Sequence, residues 1–235
     1  LQTAHNTTMT DPTRSAPTPR SNHQVVSLQA LMARRSTDEV LWMEFTYADV
    51  AWLAEDDELG DLWCLTFVRG VSEVQALRRL GADQESIRPL TYDELIDDGL
   101  FPETVLVGRV GDWTVLIEES GWTCTEADKA QALSAGTVAV AVLRHDYASD
   151  DFVYAVDGEL VTHFNPKIPE WRYGSDPDRL NDLMRQVGLD PDDVPGTGVE
   201  APSSASGALF LAARLTGVVL TPEIVKGPLM SGVVG

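Results

Sequence analysis

The stretch that decides the fold reads Thr137-Val-Ala-Val-Ala-Val-Leu-Arg144, a polar break, and then Phe152-Val-Tyr-Ala-Val-Asp-Gly-Glu-Leu-Val-Thr-His-Phe164. In the first run Val138, Val140 and Val142 share one face and Ala139 and Ala141 the other. That alternation is a strand pattern, of a kind that can be buried on both sides. In the second run Asp157-Gly158 separates Val156 from Glu159. A two-residue Asp-Gly link favours a type I′ turn, because both turn positions need positive φ and these residues tolerate it. The stretch therefore reads as three consecutive antiparallel strands.

Outward from this meander, Thr104–Val110 and Trp113–Glu119 flank Gly111-Asp112 and form a second expected hairpin. Asp61–Val68 reads as a further strand. Helix starts are marked by a hydroxyl followed three residues later by an acid or amide: Thr46…Asp49, Ser72…Gln75, Thr91…Glu94 and Thr125…Asp128. Gly81 and Gly217 stand where helix C-terminal glycines belong. Ser175–Asp178 is expected to open a helix with Leu180, Leu183, Met184 and Val187 on one stripe. Ala208–Leu215 and the segment after Thr221-Pro222 supply two more.

The expected fold class is α+β: an antiparallel β-sheet of about five strands, the hairpin plus the meander, with helices packed on one face and a helical C-terminal part. Residues 1–38, rich in Thr, Ser, Pro and Arg, read as a disordered leader. Residues 39–235 read as a single domain, and 194–207 as a Pro/Gly/Ser-rich loop within it.

The chain has 235 residues, 43% of them hydrophobic, enough for a sizeable core. No run of about 18 apolar residues spans a membrane. No charged-then-apolar segment opens the chain, so the expected location is cytoplasmic. Cys64 and Cys124 are too few for a disulfide scaffold and read as buried free thiols.

Seventeen basic residues stand against thirty-seven acidic ones, a net charge of −20. Such a surface repels phosphates, which argues against direct nucleic-acid and anionic-membrane binding. It suits a basic protein partner, a polyanion-mimicking role, or simply solubility.

Motifs for chemistry are missing. There is no phosphate loop with its lysine, no nucleophile elbow, no H-E-x-x-H helix and no C-x-x-C pair. No cofactor, metal or catalytic residue is therefore expected. His145 beside Asp146, and His163 near the end of the last meander strand, are read first as polar strand ends. The alternative is a histidine beside a carboxylate, with Asp150 and Asp151 nearby, binding a divalent metal or acting as a titratable centre. The aromatic residues are read first as sheet packing, and otherwise as a ligand or interface pocket built from Trp122, Tyr154, His163 and Trp171.

Several strings together carry a resemblance: Trp63-Cys-Leu-Thr-Phe-Val-Arg-Gly70 with Leu77-Arg-Arg-Leu-Gly81, Trp113-Thr-Val-Leu-Ile-Glu118 with Gly121-Trp122, Tyr154-Ala-Val-Asp-Gly158 with Phe164-Asn-Pro166, and Thr216-Gly-Val-Val-Leu-Thr-Pro-Glu223. Over about residues 50–226 the chain resembles an uncharacterised domain family of actinobacteria with no assigned reaction. The resemblance implies a bacterial cytosolic protein and transfers no catalytic residue. Three functions fit these readings. The first is a non-catalytic protein-interaction or regulatory module, of immunity, inhibitor or defence type, with a protein partner. The second is a small-ligand binder or enzyme using the aromatic pocket. The third is a polyanion mimic acting on a nucleic-acid-binding protein.

Overall fold

The computed structural model describes residues 45–55, 59–192 and 203–235. The elements in order are α1 (Tyr47–Glu55), β1 (Leu62–Arg69), α2 (Glu73–Leu80), β2 (Arg88–Leu90), α3 (Tyr92–Asp97), β3 (Thr104–Val110), β4 (Trp113–Glu119), α4 (Ala127–Ser134), β5 (Val138–His145), β6 (Asp151–Val156), β7 (Glu159–Phe164), β8 (Arg172–Tyr173), α5 (Asn181–Gln186), α6 (Ser204–Thr216), α7 (Pro222–Lys226) and β9 (Leu229–Val233). The strands form one nine-stranded antiparallel sheet in the order β2-β9-β3-β4-β1-β5-β6-β7-β8.

The meander and the hairpin form where the sequence places them. Val156 pairs Glu159 across Asp157 and Gly158, which both adopt positive φ, at 53° and 79°. Val110 pairs Trp113 across the other turn. β1, the isolated strand of the sequence reading, lies between β4 and β5 and joins the two.

The sheet exceeds the expected five strands. The short β2, β8 and β9 extend it, and β9 slots between β2 and β3, so the C-terminal part is not purely helical. Strands of two to five residues carry too little alternation to stand out in sequence.

The helices cover both faces of the sheet, which corrects the expectation of one. Trp63, Leu65 and Phe67 of β1, Val115 and Ile117 of β4, and Val140 and Val142 of β5 pack with Val50 and Leu53 of α1, the run Ala208–Ala213 of α6 and Val225 of α7. On the opposite face Cys64, Val68, Leu116, Ala139 and Ala141 pack with Ala76, Leu77 and Leu80 of α2 and Ala130 and Leu133 of α4. Strands apolar on both sides need cover on both sides, and the small Ala and Cys side chains let α2 and α4 approach closely.

Local signals place the helix ends. Thr91 and Glu94 form a reciprocal capping box, with the Glu94 N–H donating to Thr91 Oγ1 at 3.2 Å and the Thr91 N–H to Glu94 Oε2 at 2.8 Å. Gly81 and Gly217 close α2 and α6 in the left-handed region. Two expected starts move. α4 begins at Ala127 without a side-chain cap, because the Thr125 hydroxyl donates to the Trp122 carbonyl instead. α5 begins at Asn181, after a turn over Pro177–Leu180. The expected leader lies outside the described residues. So does most of the expected loop at 194–207, whose last residues form the first turn of α6, capped by Ser203. No helix among the described residues is long and apolar enough to cross a membrane.

Candidate functional site

The β6–β7 pairing contains one irregularity that positions the site. Tyr154 pairs Thr162 while Ala155 pairs Leu160, so Val161 is an extra residue in β7. A bulge of this kind shifts the pairing phase of the rest of the strand. His163 thereby stands opposite Val153, on the face that β6 shares with Asp151, rather than opposite Phe152. β8 then pairs Tyr173 directly with His163.

Three adjacent strands each deliver one polar group. His163 Nε2 lies 3.0 Å from Asp151 Oδ1, and the Tyr173 hydroxyl is hydrogen-bonded to His163 Nδ1, with ring centroids 4.5 Å apart. A carboxylate only accepts, so Nε2 carries the hydrogen in this pair. In the neutral ring Nδ1 is then the acceptor and Tyr173 donates. Burial, and then the charge of Asp151, pushes the Tyr173 phenol above its ordinary value. The phenol therefore stays protonated at neutral pH, and the site presents hydrogen bonds rather than a phenolate.

A loop from Asn165 to Trp171 closes one side. It is two consecutive turns, with the Ile168 N–H donating to the Asn165 carbonyl and the Trp171 N–H to the Ile168 carbonyl, both at 3.0 Å. The Asn165 side-chain amide donates to Ser149 Oγ at 2.9 Å, and Lys167 pairs with Asp150 at 3.1 Å. Arg172 holds the start of β8 by donating to Asp178 at 3.0 Å and to the Pro191 carbonyl at 2.6 Å. Its guanidinium lowers the Asp178 carboxyl below the usual range.

These parts enclose an open cleft of about 570 Å³, lined among others by Ser149, Asp151, His163, Asn165, Glu170, Trp171 and Tyr173. Trp171 is 74% exposed, Tyr173 56% and Ile168 43%.

Of the four residues expected to form a pocket, His163 and Trp171 meet in this cleft. Tyr154 packs against the core on the other face of the sheet. Trp122, 49% exposed, sits on the turn after β4 with its ring 6.3 Å from His145. The four do not converge. The sequence reading names Asp151 only as near the histidines and does not include Tyr173 or Glu170. A regular hairpin about Asp157-Gly158 would have set His163 against Phe152, and only the bulge at Val161 brings it to Asp151.

A second cluster is sealed inside the sheet. Cys64, Thr66, Glu118 and Cys124 are buried, with Cys64 Sγ 3.6 Å from Thr66 Oγ1 and the Cys124 N–H donating to Glu118 Oε2 at 3.0 Å. Burial, and then the charge of Glu118, pushes both thiols well up. Both cysteines are free, as expected. No group of three or more His, Cys, Asp or Glu among the described residues could hold a metal ion.

Together the helix-covered antiparallel sheet and the open edge cleft define an α+β domain. The chain belongs to the family of unknown function DUF6461, whose model matches residues 43–229. No curated protein and no solved structure matches it.

Proposed function

We propose that the chain is a non-catalytic protein-interaction or regulatory module that docks a partner protein across the cleft at the β8 edge. The observation that carries this reading is the gathering of Ile168, Trp171 and Tyr173, all exposed, around one cleft at the end of the sheet. Interfaces favour aromatic anchors of this sort, which combine large contact area with few rotatable bonds. Beside them the Tyr173 hydroxyl and both His163 ring nitrogens are engaged, and the phenol is held protonated, as suits a recognition surface.

The Tyr173–His163–Asp151 chain favours a second reading, a small-ligand-binding protein or enzyme in which His163 moves a proton to or from a ligand in the same cleft.

The test is affinity capture from the host's own lysate at about 50 and about 300 mM salt, comparing wild type with a Trp171→Ala/Tyr173→Ala double variant. The docking reading expects one stoichiometric partner on the wild-type protein, weakened at the higher salt and lost from the double variant at an unchanged melting temperature. A partner retained by the variant, or no partner at either salt, sinks it.

A further inference from the structure

We infer that the group received by the β8 cleft is an arginine side chain of the partner, an assignment that rests on the docking reading above. Two kinds of surface meet in the cleft. Trp171 and Tyr173 offer exposed ring faces, on which a guanidinium stacks by cation–π attraction. Asp151 and Glu170 offer carboxylates in the same lining. Asp151 engages His163 through Oδ1 alone, and its Oδ2 makes no hydrogen bond among the described residues. The Glu170 side chain makes no hydrogen bond or ion pair among them either; the bond at Glu170 runs from Arg172 to its backbone carbonyl.

The local cations do not neutralise these acids. Arg172 is engaged by Asp178 and the Pro191 carbonyl, and Lys167 by Asp150. His163, with Asp151 holding Nε2–H and Tyr173 filling Nδ1, adds no acceptor or donor of its own to the cleft. The cleft therefore keeps a negative balance inside a chain that is itself at −20, and that field draws a cationic group inward.

Arginine fits better than lysine. Its planar fork can stack on a ring and at the same time present two parallel N–H groups to a carboxylate, whereas an ammonium does one or the other. A neutral isostere of the same shape loses both attractions and leaves the cleft's carboxylates without a cation.

The test uses the full chain, ¹⁵N-labelled, with the Trp171 indole resonance assigned by its loss in Trp171→Phe. Three blocked tripeptides are titrated, with arginine, lysine or citrulline at the centre of Gly-X-Gly. The arginine peptide is expected to shift the Trp171 indole saturably. The lysine peptide should bind roughly threefold or more weakly, and the citrulline peptide should leave the resonance in place. Glu170→Gln with Asp151→Asn is expected to weaken the arginine peptide about tenfold, while the rest of the spectrum stays folded. Citrulline binding as well as arginine overturns the assignment, and so does a resonance unmoved by arginine up to about 20 mM.

The two readings fail separately. If the double variant loses its partner but the arginine peptide does nothing, the docking surface stands and the arginine assignment falls. If the partner is retained while arginine still binds, the cleft is an arginine site but not the docking face.

Discussion

Tyr92→Phe tests the accounting of the buried polar groups. The Tyr92 hydroxyl, at the start of α3, donates to Glu119 Oε2 at the end of β4 at 2.7 Å, and both side chains are buried. The substitution removes one oxygen and almost no volume. It leaves the carboxylate, among the described residues, with a 3.5 Å contact to Ser120 Oγ. A hydrogen bond to a charged group is worth about 1.5–3 kcal/mol, and a neutral one about 0.5–1.5. For a domain of this size the charged figure corresponds to a fall in Tm of about 3–12 °C.

The loss should depend on pH. Burial raises the Glu119 carboxyl above its ordinary value, and the Tyr92 bond pulls it part of the way back. A raised folded-state value means that protonation favours the fold: the stabilisation from this group is fully present below the unfolded-chain carboxyl range and is lost as pH rises through the folded value. Removing the hydroxyl raises that value further. The penalty of Tyr92→Phe is therefore larger at about pH 8, where the carboxylate is charged, than at about pH 5. Urea unfolding followed by tryptophan fluorescence at both pH values measures it. A penalty equal at the two, or below about 0.5 kcal/mol at the higher, refutes the reasoning.

Two further outcomes are expected. Gly174 has a φ of 135°, and a Cβ there would press into the Val161 carbonyl, so Gly174→Ala should displace β8 and separate Tyr173 from His163. Loss of the Tyr173–His163 cross-peaks in an NOE spectrum, with the core resonances intact, is the expected readout. Cys64 and Cys124 should resist a thiol reagent such as DTNB in the native protein and both react in urea, because burial keeps their thiols protonated. Fast native-state labelling contradicts that.

The legible parts of this fold were those written in repeated local chemistry. β5 alternates Val and Ala over enough residues to announce a strand buried on both faces, and two hairpins turn on positive φ, at Asp157 and Gly158 in one and at Gly111 in the other. Thr91 and Glu94 declare their helix start in four residues. The rest depends on contacts distant in sequence. Leu229–Val233 becomes a strand only because β3 and β2 present open edges to it, and Arg172-Tyr173 only because the chain returns to β7. The two apolar faces of the Val-Ala run that becomes β5 are visible in the sequence, yet the expectation places all helices on one side. Alternation shows that a face is apolar but not which helix arrives to cover it. At the site, residue type points to His163 and Trp171, and both line the β8 cleft. It points equally to Trp122 and Tyr154, which face elsewhere, because aromatic type carries no information about backbone placement.

That phase is set by backbone rather than by any side chain of the cleft, and the backbone there is held from beneath. Asp150, 2% exposed, accepts the His145 N–H at 2.9 Å through Oδ1, while its Oδ2 meets Lys167 at 3.1 Å and Ser204 Oγ at 3.4 Å. One buried carboxylate thus ties the end of β5, the loop carrying Trp171 and the first turn of α6. A buried charge is tolerated only when its lone pairs are satisfied, so these partners cannot drift independently without leaving it uncompensated. On the other side, the Val161 carbonyl of the bulge accepts the Asp176 N–H at 3.0 Å and pins the chain leaving β8. Trp171 and Tyr173 are exposed, but the backbone on either side of them is anchored at both ends. Exposed rings on an anchored backbone would lose little freedom under a partner, and this preorganisation is what the proposed docking edge requires.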